Sequence, residues 1–555
     1  MHSKKQKDRL SQKLWSTALL IVVVIGIAIS FLLYSGPDFV YDDTFYLSLA
    51  HSLLEGNIGF AYNRFGFAPL KLVPTAISFG LLGYGNFQAI LPSVIEYILL
   101  ILTTFAVGKK LYGNAFACLS AFFVATAPFV IGYVTRPLAD ILLGLAVAVS
   151  IYFFVADWGS RHDAAWATLL GIMTAGLAYI KFEGFSILLA TFVSMIIVAY
   201  FTRKAPKNRA IQNLKKKIRP RSFLLFLLGA LAVVLLDLLF VYYAIGYAFW
   251  QFEFYSVTGN STPIINEIAK LFIPILTSNP KYTNTEIYPP GLIFIFFVLG
   301  SVIGVARIKS EPYVAYISLI GIIFVIYMLF GPSSLHFLSG AYVSVPFVTR
   351  FLNTIALPVA ILAAYFMFSI YRFAKHHMSR NQSIAIVLAL LIANICCYIP
   401  DYYMFWYFSN GYVKPLASTF AGMMNYTYHN AGSDHVNIFS TGYYPFGFEL
   451  ISYNAFRYLS GFGRHGSVYM IMENATLGEI KTYYLPEETA LECNASLLDK
   501  PSYLISMVSI DNATQSKDVQ NVVNAWLGKN CTAYYLTNIN TNTGFTFSIY
   551  KLEPT

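Results

Sequence analysis

The sequence predicts a polytopic α-helical membrane protein with about 11 transmembrane helices, followed by a C-terminal exterior α/β domain. Three observations lead there. Of 555 residues, 57% are hydrophobic and only 12% are charged, against about a quarter charged in a water-soluble domain. The apolar residues come in runs near the ~20 residues that cross a bilayer, separated by short polar clusters. Beyond residue 400 these runs give way to short β-rich stretches in polar surroundings. Composition therefore excludes a cytosolic enzyme, a disordered chain and a small disulfide scaffold.

The spans are expected at 14–35, 87–107, 114–131, 138–156, 165–182, 184–202, 222–244, 290–306, 313–330, 351–371 and 383–400. Residues 1–400 then form the membrane domain, with a first outside loop at 36–86. The stretch 69–84 is apolar but short and contains two prolines, Pro69 and Pro74. Counting it as a crossing would invert every later loop, so it is read as a juxtamembrane or re-entrant piece. The first apolar run is followed by SGPDFVYDD, which offers no small-residue cleavage site, so the first helix is expected to stay as an anchor.

Net charge is +10, yet its placement points away from nucleic acid. Nine of the 37 Lys and Arg residues lie between Arg203 and Arg221, and five more (Lys4, Lys5, Lys7, Arg9, Lys13) precede the first run. Basic loops beside apolar spans set orientation. With a cytoplasmic N-terminus, 22 of the 37 fall inside, and eleven crossings leave the C-terminus extracellular, at the plasma membrane. Acceptor triplets N-x-S/T occur at Asn260, Asn381, Asn425, Asn474, Asn494, Asn512 and Asn530; six of the seven fall on the expected outside. One triplet is weak evidence, whereas their segregation is better.

Residues 401–555 read as an exterior α/β domain, large enough for its own core. Its strand candidates are 436–440, 503–508, 533–537 and 547–552, with a helix at about 516–527. Cys118, Cys396 and Cys397 sit in or beside spans and read as packing residues. Cys493 and Cys531 share the exterior segment, where a disulfide can form. Its many Tyr and Asn residues suit carbohydrate stacking and an ordinary surface equally well.

Charges within or at the edge of spans are the scarce items and the natural place to look for chemistry. Asp42 and Asp43 leave the first span and open a helix whose Tyr46, Leu49, Leu53 and Leu54 line one apolar face, as in a helix lying on the membrane surface. Helix capping explains a single Asp; for the pair, capping and catalysis both stay open. Arg136 and Asp140 occupy a short outside turn and can simply pair with each other. Arg64, Lys181 and Arg350 are outside-edge cations that can snorkel to headgroups or converge on a lipid phosphate. Glu96 and Asp237 fall within spans and can be buried partners of such cations.

The order of these features resembles the membrane-embedded C-type glycosyltransferases that use polyprenyl-phosphate sugars, nearest to the protein O-mannosyltransferase and aminoarabinose transferase group. That family places an acidic pair after the first helix, leading into a tyrosine, an alanine and a glycine; the matching residues are Asp42, Asp43, Tyr46, Ala50 and Gly56. Its later elements match Pro128, Arg136 and Asp140, then Lys181, then Arg350, Phe351 and Pro358, so the resemblance covers roughly residues 14–370. Two positions depart from it: Asp43 stands where Glu is usual, and Ala68 precedes Pro69 where Lys or His is usual, with Lys71 close by. No WWDYG element occurs, which argues against en bloc oligosaccharide transfer.

The resemblance implies a GT-C-like fold and inverting transfer of a sugar from a polyprenyl or dolichyl phosphate to a hydroxyl of a protein, lipid or glycan on the outer face. Asp42 would be the base, with Asp43 orienting it or the two Asp residues holding a divalent metal such as Mg or Mn. Arg64, Lys71, Arg136, Asp140, Lys181 and Arg350 would bind substrate, the cations meeting charge that grows on the phosphate. A transporter or flippase is the rival reading. Transporters often show two matching halves, and no internal repeat is found. A non-catalytic scaffold would leave Asp42 and Asp43 unexplained.

Overall fold

The computed structural model describes residues 2–33, 42–54, 69–156, 163–181, 184–203, 218–245, 291–330 and 349–408, a few isolated positions, and seven strands between 436 and 554. Among them run α1 (His2–Leu32), α2 (Asp42–Leu54), α3 (Pro69–Leu82), α4 (Asn86–Tyr112), α5 (Asn114–Thr126), α6 (Pro128–Val134) and α7 (Asp140–Val155). After these come α8 (Asp163–Gly176), α9 (Gly184–Thr202), α10 (Pro220–Ile245), α11 (Gly291–Ala306), α12 (Pro312–Phe330), α13 (Ala356–His377) and α14 (Arg380–Phe408). Two 3-10 helices, Leu177–Tyr179 and Thr349–Ile355, precede α9 and α13. The chain divides into two compact units: Met1–Leu33, Tyr62–Lys71 and Ile90–Phe405 form one, and Tyr34–Ala61, Leu72–Ala89 and Trp406–Thr555 form the other.

A described helix lies in each of the eleven expected spans. Among the described residues six helices can cross a membrane by length and composition: Lys13–Leu32, Asn86–Tyr112, Gly184–Thr202, Pro220–Phe240, Phe351–His377 and Arg380–Tyr403. A seventh arises if α5 and α6 are one bent span. Leu70–Leu82, Asp140–Val155, Ala165–Tyr179, Gly291–Ala306 and Pro312–Met328 are apolar but shorter. The 14 residues of α3 span about 21 Å at 1.5 Å per residue, against a hydrocarbon core of about 30 Å.

The bend of 60° between α5 and α6 follows from Pro128, which has no N–H to continue the helix. The last carbonyls of α5 then need donors that lipid cannot supply. Two tyrosines provide them: the Tyr97 hydroxyl donates to the Ala125 carbonyl at 2.7 Å, and the Tyr402 hydroxyl donates to that of Thr126. Tyr97 is fully buried. Tyr97→Phe should therefore cost about 1–3 kcal/mol, the penalty for an orphaned buried acceptor, read as a lower unfolding temperature in detergent. An unchanged temperature would mean that the carbonyl finds another donor.

Some sequence expectations about packing need correction. Among the described side chains of α2, Tyr46 and Leu49 are buried as the expected face requires, with Leu47 and Ala50 beside them, while Leu54 is exposed instead of covered. Cys396 and Cys397 are exposed rather than packed, and Cys118 is half-buried; all three are free thiols.

In the second unit the strands order as β4-β3-β2-β1-β5-β7-β6. They are β1 (Val436–Thr441), β2 (Gly466–Ile471), β3 (Ile480–Lys481), β4 (Ala490–Leu491), β5 (Ser502–Ser509), β6 (Cys531–Asn540) and β7 (Phe545–Pro554). β1 pairs in parallel with β2 and β5, and β5, β7 and β6 run antiparallel. The four expected strand runs all fall in these strands. The expected helix near 516–527 and Cys493, half of the expected disulfide, lie outside the described residues.

Candidate active site

Three separate stretches of the first unit meet at one ion pair. The Lys181 ammonium donates to Asp140 Oδ1 at 2.9 Å and lies 4.7 Å from the centre of the Phe351 ring. Each partner is set by local structure. Asp140 opens α7, where a carboxylate complements the helix dipole. Lys181 follows the 3-10 turn Leu177–Tyr179, its amide bonded to the Leu177 carbonyl, and the Gly184 amide bonds back to the Lys181 carbonyl. A Cβ on Gly184 would lie 2.3 Å from the Leu177 carbonyl carbon, so this turn requires glycine.

Phe351 belongs to the 3-10 helix Thr349–Ile355, which packs on α7. A Cβ on Gly144 would sit 2.3 Å from the Asn353 carbonyl oxygen, so the two backbones touch where α7 has no side chain. Gly144→Val should therefore push the 3-10 helix away, moving Phe351 off Lys181, with a loss of about 1–3 kcal/mol typical of overpacking. The unfolding temperature of the detergent-purified variant measures this, and no change would show that the contact is soft. The Asp140 side chain is buried, while that of Lys181 keeps 15% of its surface exposed. The ammonium is thus held between a buried carboxylate and an aromatic ring. Asp140 has Lys181 as its ion partner, where the sequence suggested Arg136.

Lys71, Ser93 and Glu96 form a second cluster. The Lys71 ammonium donates to Glu96 Oε2 at 2.9 Å and to Ser93 Oγ at 2.9 Å, and is 1% exposed. Ser93 Oγ in turn donates to the Arg136 carbonyl at 2.9 Å. Ser93 and Glu96 are three apart on α4 and so share a face. This chain of bonds runs from Lys71 to the 135–139 turn that leads into Asp140. The Arg136 guanidinium lies 5.7 Å from the Tyr133 ring centre. Ser93 was not anticipated; its signal was the i, i+3 spacing from the intramembrane Glu96.

In the second unit, Asp42 and Asp43 stand in the first turn of α2. The helix is held by His51, whose Nδ1 bonds the Tyr84 hydroxyl with the two rings edge-on at 5.2 Å. Leu54 packs against Gly80. The side chains of Asp42, Asp43 and Arg350, and the whole of Arg64, lie outside the described residues. Among the described residues no group of three or more His, Cys, Asp or Glu could hold a metal ion, and the side chains of Asp42 and Asp43 are not among them.

Residues 68–236 match the family model described as dolichyl-phosphate-mannose-protein mannosyltransferase; that segment contains both ion pairs. No curated protein matches the chain by sequence. The fold is similar to that of ArnT from Cupriavidus metallidurans in the apo state, with TM-score 0.55 at 11% identity, covering 97% of this chain and 98% of that one. ArnT bound to undecaprenyl phosphate matches with TM-score 0.55 at 12% identity, covering 96% of this chain and 97% of that one. The Archaeoglobus fulgidus oligosaccharyltransferase, tethered to an acceptor peptide containing the NVT sequon, matches with TM-score 0.51 at 13% identity, covering 98% of this chain and 74% of that one. The chain is thus an integral membrane protein with the fold of these C-type glycosyltransferases, and its residues 68–236 match the family model of the dolichyl-phosphate-mannose-protein mannosyltransferases.

Proposed function

We propose that the protein transfers a sugar from a polyprenyl-phosphate donor to a hydroxyl acceptor on the outer face of the membrane. The observation that carries this reading is the Lys181 ammonium, held by buried Asp140 and lying over the Phe351 ring. Support comes from its place in the matched segment and from the undecaprenyl phosphate bound by a protein of the same fold.

In this mechanism the acceptor oxygen attacks the anomeric carbon from the face opposite the phosphate. The C–O bond to phosphate breaks as the new glycosidic bond forms, and the acceptor proton passes to Asp42. Asp43 orients Asp42. The lipid phosphate leaves with its charge met by Lys181, Arg136 and Arg350, the last being the residue before Phe351 in the 3-10 helix. Asp140 positions Lys181. Lys71, tied to Glu96 and Ser93, holds the 135–139 turn instead of meeting the donor. The N-terminus is assigned to the cytoplasm and residues beyond 408 to the exterior, which glycosylation mapping of the acceptor triplets would test.

The decisive experiment incubates purified protein with labelled polyprenyl-phosphate sugars and a membrane extract. A labelled product names the sugar. Absence of transfer, together with failure to bind any polyprenyl phosphate, would overturn the reading in favour of a transporter. Arg350→Ala should weaken donor binding by about 10- to 100-fold, the value of a charge-assisted contact, and a donor titration measures it. Unchanged affinity would remove Arg350 from the site.

A further inference from the structure

The first unit also carries an ordered basic cluster at the ends of α4 and α13 remote from the Lys181 site. Glu311, in the turn between α11 and α12, accepts a hydrogen bond from the Tyr112 hydroxyl at the end of α4. It also faces two guanidinia, Arg307 at 3.5 Å and Arg372 near the end of α13 at 3.9 Å. Arg307 reaches the Tyr365 hydroxyl at 3.4 Å. Arg372 lies 4.4 Å from the Phe368 ring centre and 5.3 Å from that of Tyr112. Three helix ends thus converge on one carboxylate.

Charge balance there is one-sided. The stretches 107–113, 305–312 and 370–380 contain Lys109, Lys110, Arg307, Lys309, Arg372, Lys375 and Arg380 against the single acid Glu311. Both guanidinia stay open, with side chains 45% and 47% exposed. Orientation of a membrane protein needs only loose positive charge. Here two arginines are fixed by aromatic rings, a tyrosine hydroxyl and a shared carboxylate. Such fixing lowers the entropy lost when their N–H forks meet a phosphate.

The position selects the source of that phosphate. Along α4, 16 residues separate Glu96 from Tyr112, about 24 Å of helix. Along α13, Arg372 lies a similar distance beyond the 3-10 helix that carries Phe351. The cluster therefore faces the leaflet opposite the Lys181 site, at headgroup depth. We propose that Arg307 and Arg372, with Lys109, Lys110, Lys309 and Lys375 around them, bind the phosphodiester headgroup of an anionic membrane lipid.

Native mass spectrometry of the full-length protein in detergent tests this, with phosphatidylglycerol and phosphatidylcholine titrated separately. Phosphatidylglycerol adducts should persist where phosphatidylcholine adducts do not. Arg307→Ala with Arg372→Ala should weaken them by about 30-fold, two cations at the membrane surface, while polyprenyl-phosphate binding stays unchanged. Arg307→Lys with Arg372→Lys keeps the charge but loses the fork, and should still weaken binding several-fold; full retention would overturn a built site. That lysine variant also carries the test if the alanine variant fails to fold. Inorganic phosphate should leave the lipid adduct in place, and its displacement would overturn the lipid assignment. Equal retention of both lipids by the unmodified protein would overturn the proposal outright.

Discussion

Lys71→Met should lower stability by about 3–5 kcal/mol, the penalty for stranding one charge of a buried ion pair. The effect is large because Glu96 has nowhere to turn. Its carboxylate is buried within α4 and holds the Lys71 ammonium at 2.9 Å. Methionine leaves that carboxylate desolvated without a counter-charge, and Ser93 loses its donor as well. Adding Glu96→Leu should recover most of the loss, since a well-packed apolar pair often replaces a buried ion pair at little or no net cost. Chemical denaturation or thermal unfolding of the three proteins in one detergent decides it. A single variant as stable as the parent would show that water reaches Glu96. A double variant no better than the single would show that packing, not charge, holds the turn.

Asp42→Asn should reduce sugar transfer by about 10²- to 10⁴-fold, the usual worth of a positioned general base, and leave donor binding and folding near those of the parent. The amide keeps the shape of the carboxylate and its place at the first turn of α2 but cannot take the acceptor proton. Transfer from a labelled polyprenyl-phosphate sugar, measured beside a donor titration, separates the two effects. Full activity would move the base elsewhere. Loss of donor binding along with activity would assign Asp42 to binding.

The positions of the apolar helices were legible because a bilayer demands runs of apolar residues, and that demand is written locally; how many of them cross was not, since six or seven of the described helices are long enough where eleven spans were expected. The strands at 436–441, 502–509, 531–540 and 545–554 were legible for a similar reason, as short alternating or β-branched runs between turn residues. Lateral neighbours were another matter. Asp140 and Lys181 are 41 residues apart, and helical periodicity names a face without naming what faces it. The bland reading of Asp140 paired it with the nearest cation in sequence, Arg136, whereas the fold delivers Lys181 through the turn before α9. Cys396 and Cys397 were misread because lipid and protein interior are equally apolar, so hydropathy cannot tell a packed face from a lipid-facing one. Lys71 was read as a substrate-binding candidate beside Pro69, and only the partner on α4 shows that it sits in a buried ion pair.

The tyrosine hydroxyls at the break between α5 and α6 bear on the order in which the protein is made. Ala125 is served by Tyr97, which precedes it in the chain. Thr126 waits for Tyr402, 276 residues later. As the chain leaves the ribosome, the kinked segment enters the membrane with one backbone carbonyl unmet, and it stays so until α14 has been synthesised and docked. Early docking of α4 and late docking of α14 are thereby built into one short bend. A chain halted before residue 402 should hold that bend loosely, and arrival of the last helix closes it.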